Sequence, residues 1–350
     1  MRQCLVTGGA GFIGSAIAPF LVENYDQVIA VDSLHPQVHP ARSRPDALHS
    51  DVKLIVGDVS KRKIWDEILS DLKPEVIIHL AAETGTGQSL SEGSRHAKAN
   101  VLGTTQMLDA LVRHHRIPKR IILSSSRAVY GEGAWRDTGT GETVYPGLRS
   151  KHQLEAGQWD FPRMESLPFD AATTTPNPTN IYASTKLSQE HILRAWTSAF
   201  EVEHFILRLQ NVYGPGQSLY NAYTGIVQIF CQIAKEKKRI PVYEDGQITR
   251  DFVFIDDVAR AIATAAELQG HSGNYDVGSG VTTTLLSLAS LIARQYGAPE
   301  PVVTGQFRNG DIRHASCNTA RTKRDLNWQP TVALRDGVER LADWIRSRTN

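Results

Sequence analysis

Tyr182 and Lys186 stand four residues apart in Asn180-Ile-Tyr-Ala-Ser-Thr-Lys186, a stretch that opens a helix running to about Ser198. Residues at i and i+4 share one helix face. A free phenol ionises near pH 10 and is a poor base at neutrality, so its use as a base needs help. A nearby ammonium favours the phenolate and lowers that value. The pair is then equipped to take a proton from an alcohol and to return one to a ketone. Alone, the spacing reads more readily as a packed tyrosine beside a solvated lysine.

The chain supplies more. Thr7-Gly-Gly-Ala-Gly-Phe-Ile-Gly14 follows the apolar run Cys4-Leu-Val6 and precedes an amphipathic segment from Ser15 to Glu23. The glycines therefore fall on a strand-to-helix turn, the context in which such a motif binds a dinucleotide. Gly8, Gly11 and Gly14 suit a tight turn, the approach of a pyrophosphate, and helix–strand packing, while the free N–H groups of the helix start face phosphate. A glycine-rich turn with no ligand shares this pattern. Asp32 ends the next apolar run, Val28-Ile-Ala-Val31. A carboxylate there accepts from ribose hydroxyls and repels a 2′-phosphate, which favours NAD over NADP.

Alternating strand and helix patterns position these residues. Strand runs are read at Val52–Val56, Val76–Leu80 and Arg120–Leu123, and helices at Lys61–Leu72 and about Gly93–His115. Such alternation predicts an α/β parallel sheet covered on both faces. Asp58 follows the third strand, within reach of an adenine, and is equally an ordinary turn aspartate. From about residue 131 to 177 the periodicity fails. That insertion is expected to cover the site, to meet a partner subunit, or to lie as a mobile loop.

At 350 residues and net charge +1, the composition gives no electrostatic case for nucleic acid. No run of eighteen apolar residues exists, so no membrane span is expected. Cys4, Cys231 and Cys317 lie far apart, without metal-ligand spacing. With the first strand starting almost at Met1, a cytoplasmic protein fits best.

The motifs named so far, with His79-Leu-Ala-Ala82, Asn100 and Ser124-Ser-Ser126, occur in an order that resembles the extended short-chain dehydrogenase/reductase family, specifically its NAD-dependent nucleotide-sugar epimerases and dehydratases. The resemblance covers nearly the whole chain. It implies a Rossmann-type doubly wound parallel sheet with a smaller C-terminal substrate lobe. Residues 1–205 would form the NAD-binding domain, with the insertion at 131–177, and residues 206–350 an interleaved nucleotide-sugar lobe. It implies Ser126, Tyr182 and Lys186 as the catalytic set. Gly8, Gly11, Phe12, Ile13, Gly14, Asp32, Asp58, Val59, Leu80, Ala81, Ala82, Asn100, Ser124, Tyr182 and Lys186 would surround NAD. Ser126, Asn211, Arg250, Arg308 and Asp311 would meet the nucleotide-diphosphate sugar, as would Gln88; Tyr220 and Asn221 are further pocket candidates. A homodimer is implied through the helices at 93–115 and at Tyr182. Leu102, Met107, Leu108 and Leu111 suit either that contact or an internal core.

The resemblance also sorts the reactions. All begin with oxidation at sugar carbon 4. A dehydratase needs an Asp-Glu pair directly after the serine cluster, and this chain has Arg127-Ala128. A 4-epimerase needs only room for the keto sugar to turn over. The segments 81–89, 126–133 and 214–225 resemble 4-epimerases of dTDP-6-deoxyhexoses of the L-rhamnose type. Such relatives often carry a cysteine pair in the insertion; Phe161-Pro-Arg-Met164 stands there instead, so no metal is expected. UDP-hexose or UDP-uronic acid epimerisation or decarboxylation, 4-ketoreduction, and non-catalytic NAD sensing remain as alternatives.

Overall fold

The structure is a computed structural model that describes residues 1–218 and 225–348. Its centre is a parallel sheet of seven strands: β1 (Gln3–Thr7), β2 (Gln27–Asp32), β3 (Lys53–Val56), β4 (Val76–His79), β5 (Arg120–Ser126), β6 (Glu203–Leu209) and β7 (Gly273–Val277), ordered β7-β6-β5-β4-β1-β2-β3. The helices that matter below are α1 (Phe12–Asn24), α2 (Arg62–Asp71), α3 (Gly103–Arg113), α4 (Ile181–Ala199) and α5 (Ile255–Glu267). The doubly wound α/β sheet read from the sequence is present. The inner strands are apolar throughout because both faces are covered: Leu5, Ile77 and Ile121 point into the layer holding Trp65 and Met107, while Val6, Ile78 and Ile122 point into the layer holding Ile17 and Ile262.

The order reverses between β1 and β4. In open parallel sheets that switch point leaves a crevice beyond the strands' carboxyl ends. Thr7, Asp32, His79 and Ser126 all stand at those ends. The second half of the chain returns to this sheet, since β7 pairs with β6 and α5 packs against α1. Its remaining elements form a lobe with its own core around Tyr213, Phe230, Phe254 and Ile292.

Two expectations need revision. The helix read over Gly93–His115 is broken: Gly93–His96 is α-helical, Ala97–Leu102 is a π turn, and α3 follows. Met107, Leu108 and Leu111 lie in the core beneath the sheet, and only Leu102 of that group is exposed, at 41%. The insertion has structure of its own. Trp135–Asp137 pairs antiparallel with Thr143–Val144 and with Met164–Ser166, and Lys151–Glu155 is a short helix.

Candidate active site

One cavity of about 640 Å³ runs along the switch point and joins the glycine turn and Asp32 to Ser126, Tyr182 and Lys186. Gly8, Gly11, Phe12, Ile13, Gly14, Asp58, Val59, Leu80, Ala81, Ala82 and Ser124 complete the part of its wall that the sequence predicted.

The glycines divide their work. Gly8 has φ +66°, and a Cβ there would lie 2.8 Å from the Ala81 nitrogen. A Cβ on Gly14 would lie 2.5–2.6 Å from the Gly9 backbone, which lets α1 approach β1. At Gly11 only the Gly8 carbonyl oxygen, at 3.2 Å, stands near such an atom, so this position opens towards the cavity. Gly11 caps α1 with no side-chain hydrogen bond and no acid in the first turn. The uncapped N–H groups fit a pyrophosphate. Asp32 is fixed by the Leu34 N–H to Oδ1 (2.9 Å) and the Ala10 N–H to Oδ2 (3.1 Å), and each oxygen keeps accepting capacity for ribose hydroxyls. The donor and acceptor set therefore fits NAD.

Behind the wall lies a buried polar network. The Thr104 hydroxyl donates to the Asn100 carbonyl (2.6 Å), so it accepts from His79 Nε2–H (2.9 Å), leaving His79 Nδ1 to accept from the Thr7 hydroxyl (2.6 Å). Burial, with Lys186 adding to it, pushes His79 down to about 3, so the ring is neutral. Asn100 does not reach the cavity. Its Oδ1 accepts from the Glu83 N–H (2.7 Å), and its Nδ2 donates to the Glu83 carbonyl (3.1 Å) and the Thr185 hydroxyl (2.9 Å). It ties the exit of β4 to the helix that carries Tyr182.

Helix α4 begins where the Asn180 side chain accepts from the Ala183 N–H (2.9 Å). Tyr182, Lys186 and Glu190 then succeed one another at i, i+4 and i+8 on one face. Ser126 ends β5 because the serine cluster continues the ladder: Ser124, Ser125 and Ser126 face Leu207, Arg208 and Leu209 of β6. Ser126 and Tyr182 both line the cavity.

The lowering of the phenol expected from Lys186 together with the charge of an oxidised nicotinamide is not given by the protein's own groups. Burial pushes Tyr182 above its ordinary value; Ser126 and the Arg127 charge pull the other way. Burial also brings Lys186 down to about 7, with Glu190 opposing the fall. Glu190 is itself buried, accepting from Arg208 Nε (3.0 Å) and Nη2 (2.7 Å) and from the Ser125 hydroxyl. No sequence motif pointed to this pair, although Glu190 continues the Tyr182–Lys186 spacing by one more turn.

The predicted substrate residues gather less tightly. Asn211 Oδ1 accepts from Arg127 Nε (2.7 Å). Arg250, Asp311, Tyr182 and Asp251 all act electrostatically on Arg127. Arg308 is exposed, its guanidinium carbon 5.2 Å from the centre of the Tyr243 ring. Gln88 is buried and off the cavity wall, donating to Glu92 (2.9 Å) and accepting from Gln37 Nε2 (3.2 Å). Tyr220 and Asn221 lie outside the described residues. The sequence reading missed Gln37 and Arg95, which line the cavity and meet across it, Arg95 Nη2 donating to Gln37 Oε1 (2.9 Å). Neither residue type nor spacing marks such a contact between a loop and a distant helical turn.

Known proteins align with this arrangement. The chain matches the NAD dependent epimerase/dehydratase family over residues 4–156 and 157–278. It is 55% identical to a dTDP-L-rhamnose 4-epimerase of Burkholderia thailandensis over 345 residues, 98% of this chain and 95% of that one. A UDP-glucose 4-epimerase of Thermotoga maritima, solved with UDP-glucose, superposes with a TM-score of 0.82 at 29% identity, covering 100% of both chains. The Thermus thermophilus UDP-glucose 4-epimerase, solved with NAD, does so with a TM-score of 0.78 at 25% identity and 99% coverage of each.

Proposed function

The chain belongs to the NAD-dependent epimerase/dehydratase family, and we propose that within it the protein is a nucleotide-sugar 4-epimerase acting on a dTDP-6-deoxyhexose of the L-rhamnose type. The observation that carries this is a cavity joining a dinucleotide-type glycine turn to Ser126, Tyr182 and the buried Lys186. NAD, when bound, supplies the hydride acceptor at carbon 4 and gives the hydride back. Asp32 would hold the adenosine ribose, the α1 start the pyrophosphate, and Lys186 the nicotinamide ribose. Ser126 orients the sugar's 4-hydroxyl by hydrogen bonding. Tyr182 removes its proton as the hydride leaves, and a 4-keto sugar results. Once that ketone presents its other face, Tyr182 returns the proton to the oxygen as hydride adds to carbon. Arg127 and Ala128 occupy the positions where a dehydratase needs its acid pair, and neither can perform that elimination. The sugar's identity rests on the 55% identity.

We place the enzyme in the cytoplasm, as a homodimer through the faces that expose Leu102, Val112, Ile181 and Phe200. Among the described residues no helix is long and apolar enough to cross a membrane.

The test is a panel of dTDP-, UDP-, GDP- and CDP-sugars followed by NMR without added cofactor. Inversion at carbon 4 of a dTDP-6-deoxyhexose is expected, and Tyr182→Phe should lower it by about a thousandfold or more. Turnover of UDP-sugars alone would move the assignment to the UDP branch, and undiminished turnover in Tyr182→Phe would end the mechanism.

A further inference from the structure

Burial opposes ionisation of Tyr182, so the phenolate needs a positive neighbour. Lys186 is the neighbour its spacing suggests, yet its own charge is hard to keep: the ammonium is buried and leans on Glu190. A second cation stands on the other side. Arg127 directly follows Ser126, which lines the cavity together with Tyr182. It opens the 3-10 turn Arg127–Tyr130, whose start is pinned by the Ala128 N–H donating to Ser126 Oγ (3.2 Å). Its Nε donates to Asn211 Oδ1 (2.7 Å), so a residue from the second lobe fixes the guanidinium in place.

We propose that Arg127 is a positioning residue for proton transfer: held by Asn211 directly after Ser126, its guanidinium adds to the positive field that favours the Tyr182 phenolate. This rests on Tyr182 being the acid/base group of the proposed function. Burial and the facing Arg250 lower Arg127 to about 9, which still leaves it charged at neutrality. Asp311 and Asp251 favour that charge. Tyr182 is also faced by Lys186 from its own helix and by His96, whose ring lies edge-on at 6.4 Å between centroids. An anionic substrate group against Arg250 would relieve its repulsion of Arg127, so substrate binding and base activation would be linked.

The experiment compares pH profiles of kcat and kcat/KM for the holoenzyme and for Arg127→Met, Arg127→Gln, Arg127→Lys and Lys186→Met. An ultraviolet difference titration against Tyr182→Phe follows the phenolate in each. Arg127→Gln keeps an N–H donor without the charge and stands in if the methionine variant folds poorly. Removing the cation makes the phenol harder to ionise, so the acid limb of kcat should move to higher pH. At the acid edge of the wild-type plateau kcat should fall about tenfold or more. The phenolate titration should move the same way, and Arg127→Lys should recover most of the change. Unchanged profiles and titrations in both neutral variants would overturn the proposal. So would a lysine variant as impaired as the glutamine one, because that outcome assigns the role to the fork's shape. A KM effect with kcat and its pH limb intact would make Arg127 a substrate ligand only. If Tyr182→Phe retains full activity, the proposed function itself falls and this inference with it.

Discussion

Lys186 keeps its ammonium almost wholly buried, at 2% exposure, and that has a consequence for stability. Its ionisation falls from the ordinary 10.5 to about 7 in the folded chain. Between those values the unfolded chain holds the proton and the native chain does not, so stability rises with pH across that window. Below about 7 both forms are protonated and the full cost of burying the charge is present. Lys186→Met removes the cost. The variant's stability relative to wild type should therefore improve as pH falls from 10.5 to 7, by an amount on the order of a few kcal/mol. Urea unfolding of the cofactor-free protein at several pH values reads this directly. A difference that stays flat with pH would mean that the lysine is not desolvated as the structure places it. Activity should be lost in the same variant, because the group that costs stability is the one proposed to hold the cofactor.

The elements can be tested through Asn100, which joins two of them. It sits in the π turn 97–102 with its side chain fully buried, and its three hydrogen bonds reach Glu83 beyond β4 and Thr185 in α4. Asn100→Ala leaves the Glu83 N–H and carbonyl without these partners, at about 1–3 kcal/mol each before relaxation, while the Thr185 hydroxyl keeps its bond to the Tyr182 carbonyl (2.8 Å). Both the cofactor wall and the Tyr182 helix should loosen together. Melting temperature, NAD retention after gel filtration, and kcat should all drop. Loss of kcat with NAD retention unchanged would show that the two elements are not tied through this residue. β7, Gly273–Val277, holds no apolar run and was not read, but β1 to β4 were legible because each is an apolar run that closes on or just before a small or polar residue. The end of β5 was not. Its apolar run stops at Leu123, but the ladder carries on through Ser126 because β6 offers Leu207, Arg208 and Leu209 as partners. The π turn was equally hidden, since Ala97–Leu102 has ordinary helical composition and its bulge answers to Asn100's tertiary contacts. The phenol's environment was misjudged for a similar reason: spacing along α4 reveals Lys186, whereas burial and Arg127 come from other parts of the fold.

For the whole molecule, the least legible part was the insertion. It reads as polar and aperiodic, yet it is anchored by an ion network whose members are remote in sequence. Arg149 donates to both oxygens of Glu244 (2.8 and 2.9 Å), and Arg313 donates to Glu244 (3.0 Å), Asp245 and Asp160. The side chains of Arg149, Glu244 and Arg313 are 0–1% exposed. Arg149 Nη2 also donates to the Asp311 carbonyl (2.9 Å), and the Arg313 N–H donates to the Glu132 carboxylate (3.0 Å). The insertion thus holds the segment that carries Asp311, the acid facing Arg127 and Arg250. Burial pushes Glu132 up to about 7, so this seam is itself sensitive to protonation near neutrality. Glu244→Ala strands Arg149 in a dry interior, while Arg313 keeps two carboxylates. A loss of about 3 kcal/mol is expected, at the low end for removing one partner of a buried pair. The loss should begin locally. Hydrogen exchange should quicken first over 131–177 and 311–314, with β4 and β5 still protected, and KM should rise more than kcat falls. Glu142→Ala, on the exposed rim of the same insertion, should change neither quantity. If exchange instead quickens evenly along the whole chain, the insertion is part of the main cooperative unit and does not act as a separately anchored wall of the substrate end.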